Sequence, residues 1–101
     1  MRQEKIQYEF SADKNRILIE ERQVSFEEII AAISNEGLLD VLEHPNKTKY
    51  PNQQIYVINI NGYVNLVPFI QKNPETIFLK TIFPSRKLTK LYLGNEDDNH
   101  E

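Results

Sequence analysis

The chain has 101 residues, 40% of them apolar and 27% charged, with a net charge of −3 and no cysteine. A chain this short fits one hydrophobic core, which excludes a multidomain enzyme, and the missing thiols exclude disulfides, thiolate zinc centres and thiol nucleophiles. No apolar run approaches the ~20 residues of a membrane span, and the opening residues MRQEKIQYEF lack the apolar block of a signal peptide, so the expected setting is the cytoplasm, without a membrane.

Residues Glu4 to Phe10 alternate Ile6, Tyr8 and Phe10 with polar neighbours, the period of a strand with one buried face. Ser11 offers a hydroxyl to the free amides of a helix start, and Asp13 suits the positive end of its dipole. A first helix is expected over Ala12 to Glu21, with Ile17, Leu18 and Ile19 turned inward. Ser25 and Glu28 have capping-box spacing, with Val24 as a staple. They open a second helix whose positions Phe26, Ile29, Ile30 and Ile33 form one apolar stripe, and Gly37 is expected to end it in the left-handed conformation.

Leu38 to Glu43 reads as a short strand and His44 to Asn52 as a polar loop with two prolines. Gln54 to Ile60 and Tyr63 to Ile70 are β-branched and aromatic runs joined by Asn61-Gly62, the pair that a type I′ turn requires. Pro68 lacks an amide, so an edge, a bulge or a strand end is expected there. Thr76 to Phe83 reads as another antiparallel strand, broken by Pro84. Ser85 caps a last helix over Arg86 to Leu93, ended by Gly94. The expected fold is α+β: a mainly antiparallel sheet in the order β-α-α-β-β-β-β-α, with the two N-terminal helices packed on one face. Residues 1–94 make one domain, and 95–101, NEDDNHE, are expected to be a disordered acidic tail.

The modest net charge hides a strong asymmetry. Residues 1–43 hold five basic and ten acidic side chains, whereas 44–94 hold seven basic ones against Glu75 alone. A polyanion meets a local surface, so the C-terminal half is the expected anion-binding side. Arg86, at the start of the last helix, can grip a phosphate with its planar fork beside free helix amides. Lys80 is expected to meet the same phosphodiester, with Lys87 and Lys90 extending the basic face along a polyanion. The plain alternative is that all four are solvated charges. Among the tyrosines able to stack on bases, Tyr50, Tyr56, Tyr63 and Tyr92, only Tyr92 lies close to this cluster in sequence. His44 is a candidate acid or base, because a free imidazole changes charge near neutral pH. With only His44 and His100 as imidazoles, a metal or other cofactor is not expected, and the set Asp40, Glu43, His44 is a weak ligand pattern.

The segments YEFSADKNRILIEERQVSFEEIIAAI and FLKTIFPSRKLTKLYL resemble the BrnT family of bacterial toxins. Asp13-Lys14-Asn15, Val24-Ser25-Phe26-Glu27-Glu28 and Arg86 followed by Lys87 carry the likeness. The chain departs from the family where Glu21-Arg22-Gln23 replaces lysine-histidine-glycine and where Thr81 replaces the first of two closing arginines. The resemblance implies a RelE-like ribonuclease fold. It also implies the toxin of a type II toxin–antitoxin system, a metal-independent RNA endonuclease neutralised by a cognate antitoxin of ribbon-helix-helix type. In that setting Arg86 and Lys80 stabilise the phosphorane-like state, and His44 or Tyr92 moves protons. The lost arginine and histidine also admit a non-catalytic module that keeps the toxin fold and pairs with a small DNA-binding partner. A third class, a small-molecule-binding domain, requires an apolar pocket.

Overall fold

The computed structural model describes residues 5–94. Its elements are β1 (Gln7–Glu9), α1 (Ala12–Arg22), α2 (Phe26–Ser34), β2 (Leu38–Glu43), β3 (Gln53–Ile60), β4 (Tyr63–Asn73), β5 (Thr76–Leu79), β6 (Phe83–Pro84) and α3 (Arg86–Leu93). The fold is α+β, as the sequence predicts. The strands form one sheet in the order β1-β5-β4-β3-β2, with β6 beside β4, antiparallel except for the parallel pair of β1 and β5. The expected tail, 95–101, lies outside the described residues. Among the described residues no helix is long and apolar enough to cross a membrane.

Local chemistry sets the helix boundaries. The hydroxyls of Ser11, Ser25 and Ser85 accept the amides of Lys14, Glu28 and Leu88, and Glu28 returns a bond to the Ser25 amide, completing the capping box. Two expectations fail. Ile17 and Ile19 are 39% and 47% exposed while Leu18 is 2% exposed. Successive helix residues point about 100° apart, and α1 presents Asn15 and Leu18 to the core. Nor does Gly37 end α2: the helix caps at Asn35 and Glu36 takes the positive φ of 67°. Gly37 is instead needed for close approach, because a Cβ there would lie 2.9 Å from both the Ala32 and Asn59 carbonyl oxygens.

Strand alternation divides the sheet into two faces. On the inner face Tyr56, Ile58, Val67, Phe69, Ile77 and Leu79 pack under Leu18, Val24, Phe26 and Ile29 from the α1–α2 layer. Tyr56 stacks on Phe69 at 4.0 Å, and burial pushes its phenol pKa upward. The hairpin of β3 and β4 turns at Asn61 and Gly62, both at positive φ as a type I′ turn demands. α3 packs on the other, outer face. The buried Thr89 hydroxyl accepts the Val64 amide at 2.8 Å and donates to the Ser85 carbonyl at 2.7 Å.

Pro68 occupies neither an edge, a bulge nor a strand end. It lies within β4 opposite Ile55 of β3 and is buried. Its carbonyl accepts the Lys80 amide at 2.9 Å, so the nitrogen that lacks a proton faces the same flank, where no ladder bond can form. On that flank the predicted strand over Thr76 to Phe83 divides. β5 ends at Leu79, residues 80–82 leave the ladder, and the chain returns to β4 as β6. The Arg22 guanidinium donates to the Ile82 carbonyl, tying the end of α1 to this break.

Candidate functional site

The outer face is covered only in part. α3 crosses it near the hairpin turn, where the Tyr92 hydroxyl donates to Asp40 Oδ2 at 2.7 Å, and Asp40 stands opposite Val57 in the ladder. The rest of that face is an open cleft of about 420 Å³. Ile55, Leu66 and Pro68 form its floor. The loop after β2 supplies one wall through His44 and Tyr50, and the β5–β6 break supplies the other through Lys80 and Phe83. The proline-induced interruption therefore places Lys80 at the site.

Asn46 shapes the first wall. Its side-chain oxygen accepts the Lys49 amide at 3.0 Å, its carbonyl accepts the Tyr50 amide at 2.9 Å, and its own amide donates to His44 Nδ1 at 3.0 Å. An accepting Nδ1 puts the proton of the neutral ring on Nε2, which makes His44 a donor toward a ligand. The His44 and Tyr50 rings are 4.4 Å apart, and the Lys49 ammonium lies 5.4 Å from the Tyr50 centroid. None of the residues lining the cleft is acidic.

The structure thus brings His44 and Lys80 together and separates them from Tyr92. Donation to Asp40 raises the Tyr92 pKa, with a smaller contribution from burial, so this hydroxyl is engaged and holds its proton. Tyr50 is the tyrosine in the cleft, whereas Tyr56 is buried in the core and Tyr63 is exposed beside the hairpin turn. The sequence signal that could have singled out Tyr50 is its place in the loop that holds His44.

Arg86 also stands apart from Lys80. The Lys80 and Ser85 amides bond the Pro68 and Val64 carbonyls, four residues apart along β4, a backbone spacing of about 13 Å at ~3.3 Å per residue. Lys80 lines the cleft and Arg86 does not. Arg86, Lys87 and Lys90 line the exposed side of α3, while Leu88, Thr89 and Tyr92 turn inward. Among the described residues the side chains of Lys80, Arg86 and Lys87 make no hydrogen bond or ion pair.

Asp40, Glu43 and His44 do not converge. Asp40 and Glu43 have opposite parity along β2 and leave opposite faces of the sheet, and among the described residues no group of three His, Asp or Glu side chains is placed to hold a metal ion. Comparison with protein-family models, with curated proteins and with solved structures finds no match.

Proposed function

We propose that this protein is the toxin of a bacterial toxin–antitoxin pair, an RNA endonuclease acting in the cleft between His44 and Lys80. One observation carries the reading: two candidate catalytic side chains, remote in sequence, line a single open cleft without a carboxylate. Such a surface favours a phosphodiester and disfavours cationic ligands.

RNA carries its own nucleophile, so the protein's task is electrostatic. The 2′-oxygen attacks phosphorus while its proton passes to solvent. The bond to the 5′-oxygen breaks, and that oxygen takes up a proton, leaving a 2′,3′-cyclic phosphate and a 5′-hydroxyl. Lys80 offsets the charge that develops on the phosphoryl oxygens, and the His44 Nε2–H donates to a phosphoryl or departing oxygen. No bound metal is required by these roles. Arg86, Lys87 and Lys90 hold phosphates farther along the strand, which sets affinity and salt dependence. A cognate antitoxin, of ribbon-helix-helix type by the family resemblance, would silence the enzyme by covering this basic side.

The direct test incubates purified protein with single-stranded RNA in EDTA and analyses the ends. Cleavage that leaves cyclic phosphates and disappears with 2′-deoxy substitution supports the proposal. Intact RNA at every protein concentration overturns it.

A second reading is a non-catalytic module that keeps the fold and pairs with a small DNA-binding protein. Its support is the engagement of Tyr92 by Asp40 together with Thr81 at the place of a family arginine. Harmless expression without a partner, and RNA bound but uncut, would favour it.

A further inference from the structure

The strongest unexplained feature of the cleft is Gln53. It is only 8% exposed, and it lines the cleft alongside His44, Tyr50 and Lys80. Its backbone is fully used, the amide donating to the Tyr50 carbonyl at 3.3 Å and the carbonyl accepting from the His44 amide at 3.2 Å. Its carboxamide has no hydrogen-bond partner among the described residues. A buried amide carries two donor hydrogens and an acceptor oxygen, and leaving them unmet is costly.

We infer that the cleft is a subsite for one unpaired nucleobase and its adjoining phosphate, with the Gln53 carboxamide reading the base edge. This rests on the RNA reading above and adds the recognised unit. The floor of Ile55, Leu66 and Pro68 is apolar and the wall carries the Tyr50 and His44 rings, surfaces that suit a flat heterocycle. A volume of about 420 Å³ falls within the range of small-ligand pockets. A carboxamide matches the neighbouring donor and acceptor that base edges present. Lys80, on the opposite wall, meets the phosphate. Gln53 also borders a second hollow of about 490 Å³, but there Glu43 and Lys47 pair with each other and leave no net charge for an anion.

The test titrates the full chain with the four nucleoside monophosphates and with ribose 5-phosphate, following the Gln53 side-chain amide and the His44 and Tyr50 rings by NMR. The expected result is saturable shifts at these residues, binding at least about tenfold tighter than ribose 5-phosphate, and a spread of about fivefold or more among bases. Gln53→Leu keeps the volume and removes the reading groups, so it should flatten the spread among bases while its melting temperature stays level or rises. Short single-stranded oligoribonucleotides should shift the same residues, which separates a strand subsite from one for free nucleotides. Ribose 5-phosphate binding as well as any nucleotide, or a base spread unchanged in Gln53→Leu, overturns the subsite even if RNA is cleaved. Selective nucleotide binding with intact RNA keeps the subsite and removes the nuclease.

Discussion

The amide of Phe26 donates to the Asn15 side-chain oxygen at 2.7 Å, so the first residue of α2 is capped by a residue of α1. The other end of that carboxamide donates to Glu27 Oε1 at 2.9 Å. α1 is polar over most of its surface, and this buried contact, together with Leu18, fixes its angle against α2. Asn15→Ala should lower stability by ~1–3 kcal/mol, the range for a buried amide left unpaired, measured by urea unfolding. The Asn15 bond also holds the Glu27 carboxyl below its usual value of 4.5. That contribution is present above the usual value and is lost as pH falls through the lowered one, so the gap between wild type and variant should narrow in acid.

Gly37→Ala should destabilise by ~1–3 kcal/mol, the cost of overpacking a fixed site. The added Cβ would meet two backbone oxygens at 2.9 Å, and neither can move without shifting α2 or β3. The φ of Gly37 is not positive, so substituting Glu36 by glycine should not rescue the variant. Thermal unfolding of the single and double variants checks this.

Tyr92 and Asp40 form a link between α3 and β2 that is lost in strong alkali. The phenol pKa is raised above its ordinary value of 10.0 by donation to Asp40. Because the folded-state value is the higher one, the stabilisation is complete below the ordinary value and is lost as pH rises through the raised one. Ultraviolet titration should show two tyrosines ionising late, the buried Tyr56 and, through its bond to Asp40, Tyr92. Asp40→Asn should bring Tyr92 back toward the others, and Tyr92→Phe should unfold at lower temperature at pH 7 while matching wild type more closely in strong alkali.

Local features were readable from the sequence and long-range ones were not. The caps at Ser11, Ser25 and Ser85 and the Asn61-Gly62 turn depend on residues within four positions of each other, and each forms as the sequence predicts. The place of Pro68 is not legible in the sequence, because its tolerance depends on a neighbouring strand that breaks opposite it. Tyr92 is near the basic cluster in sequence, but the fold puts Tyr50 in the cleft and pairs Tyr92 with Asp40. His44 and Lys80 were each visible as candidates, but only the folded sheet shows them on one cleft. Gln53 carried no signal, since a neutral amide in a strand becomes informative only once its burial and its lack of partners are known.

Different roles fall to Lys80, which lines the cleft, and Arg86, which does not, and single-turnover cleavage of an RNA oligonucleotide in EDTA distinguishes them. Lys80→Ala should lower the rate at saturating protein by about 10²-fold or more, as for loss of one transition-state charge contact, with binding little changed. Arg86→Ala should weaken binding and flatten its salt dependence while leaving the saturated rate near wild type. Equal saturated rates for Lys80→Ala and wild type would contradict the placement of catalysis in the cleft.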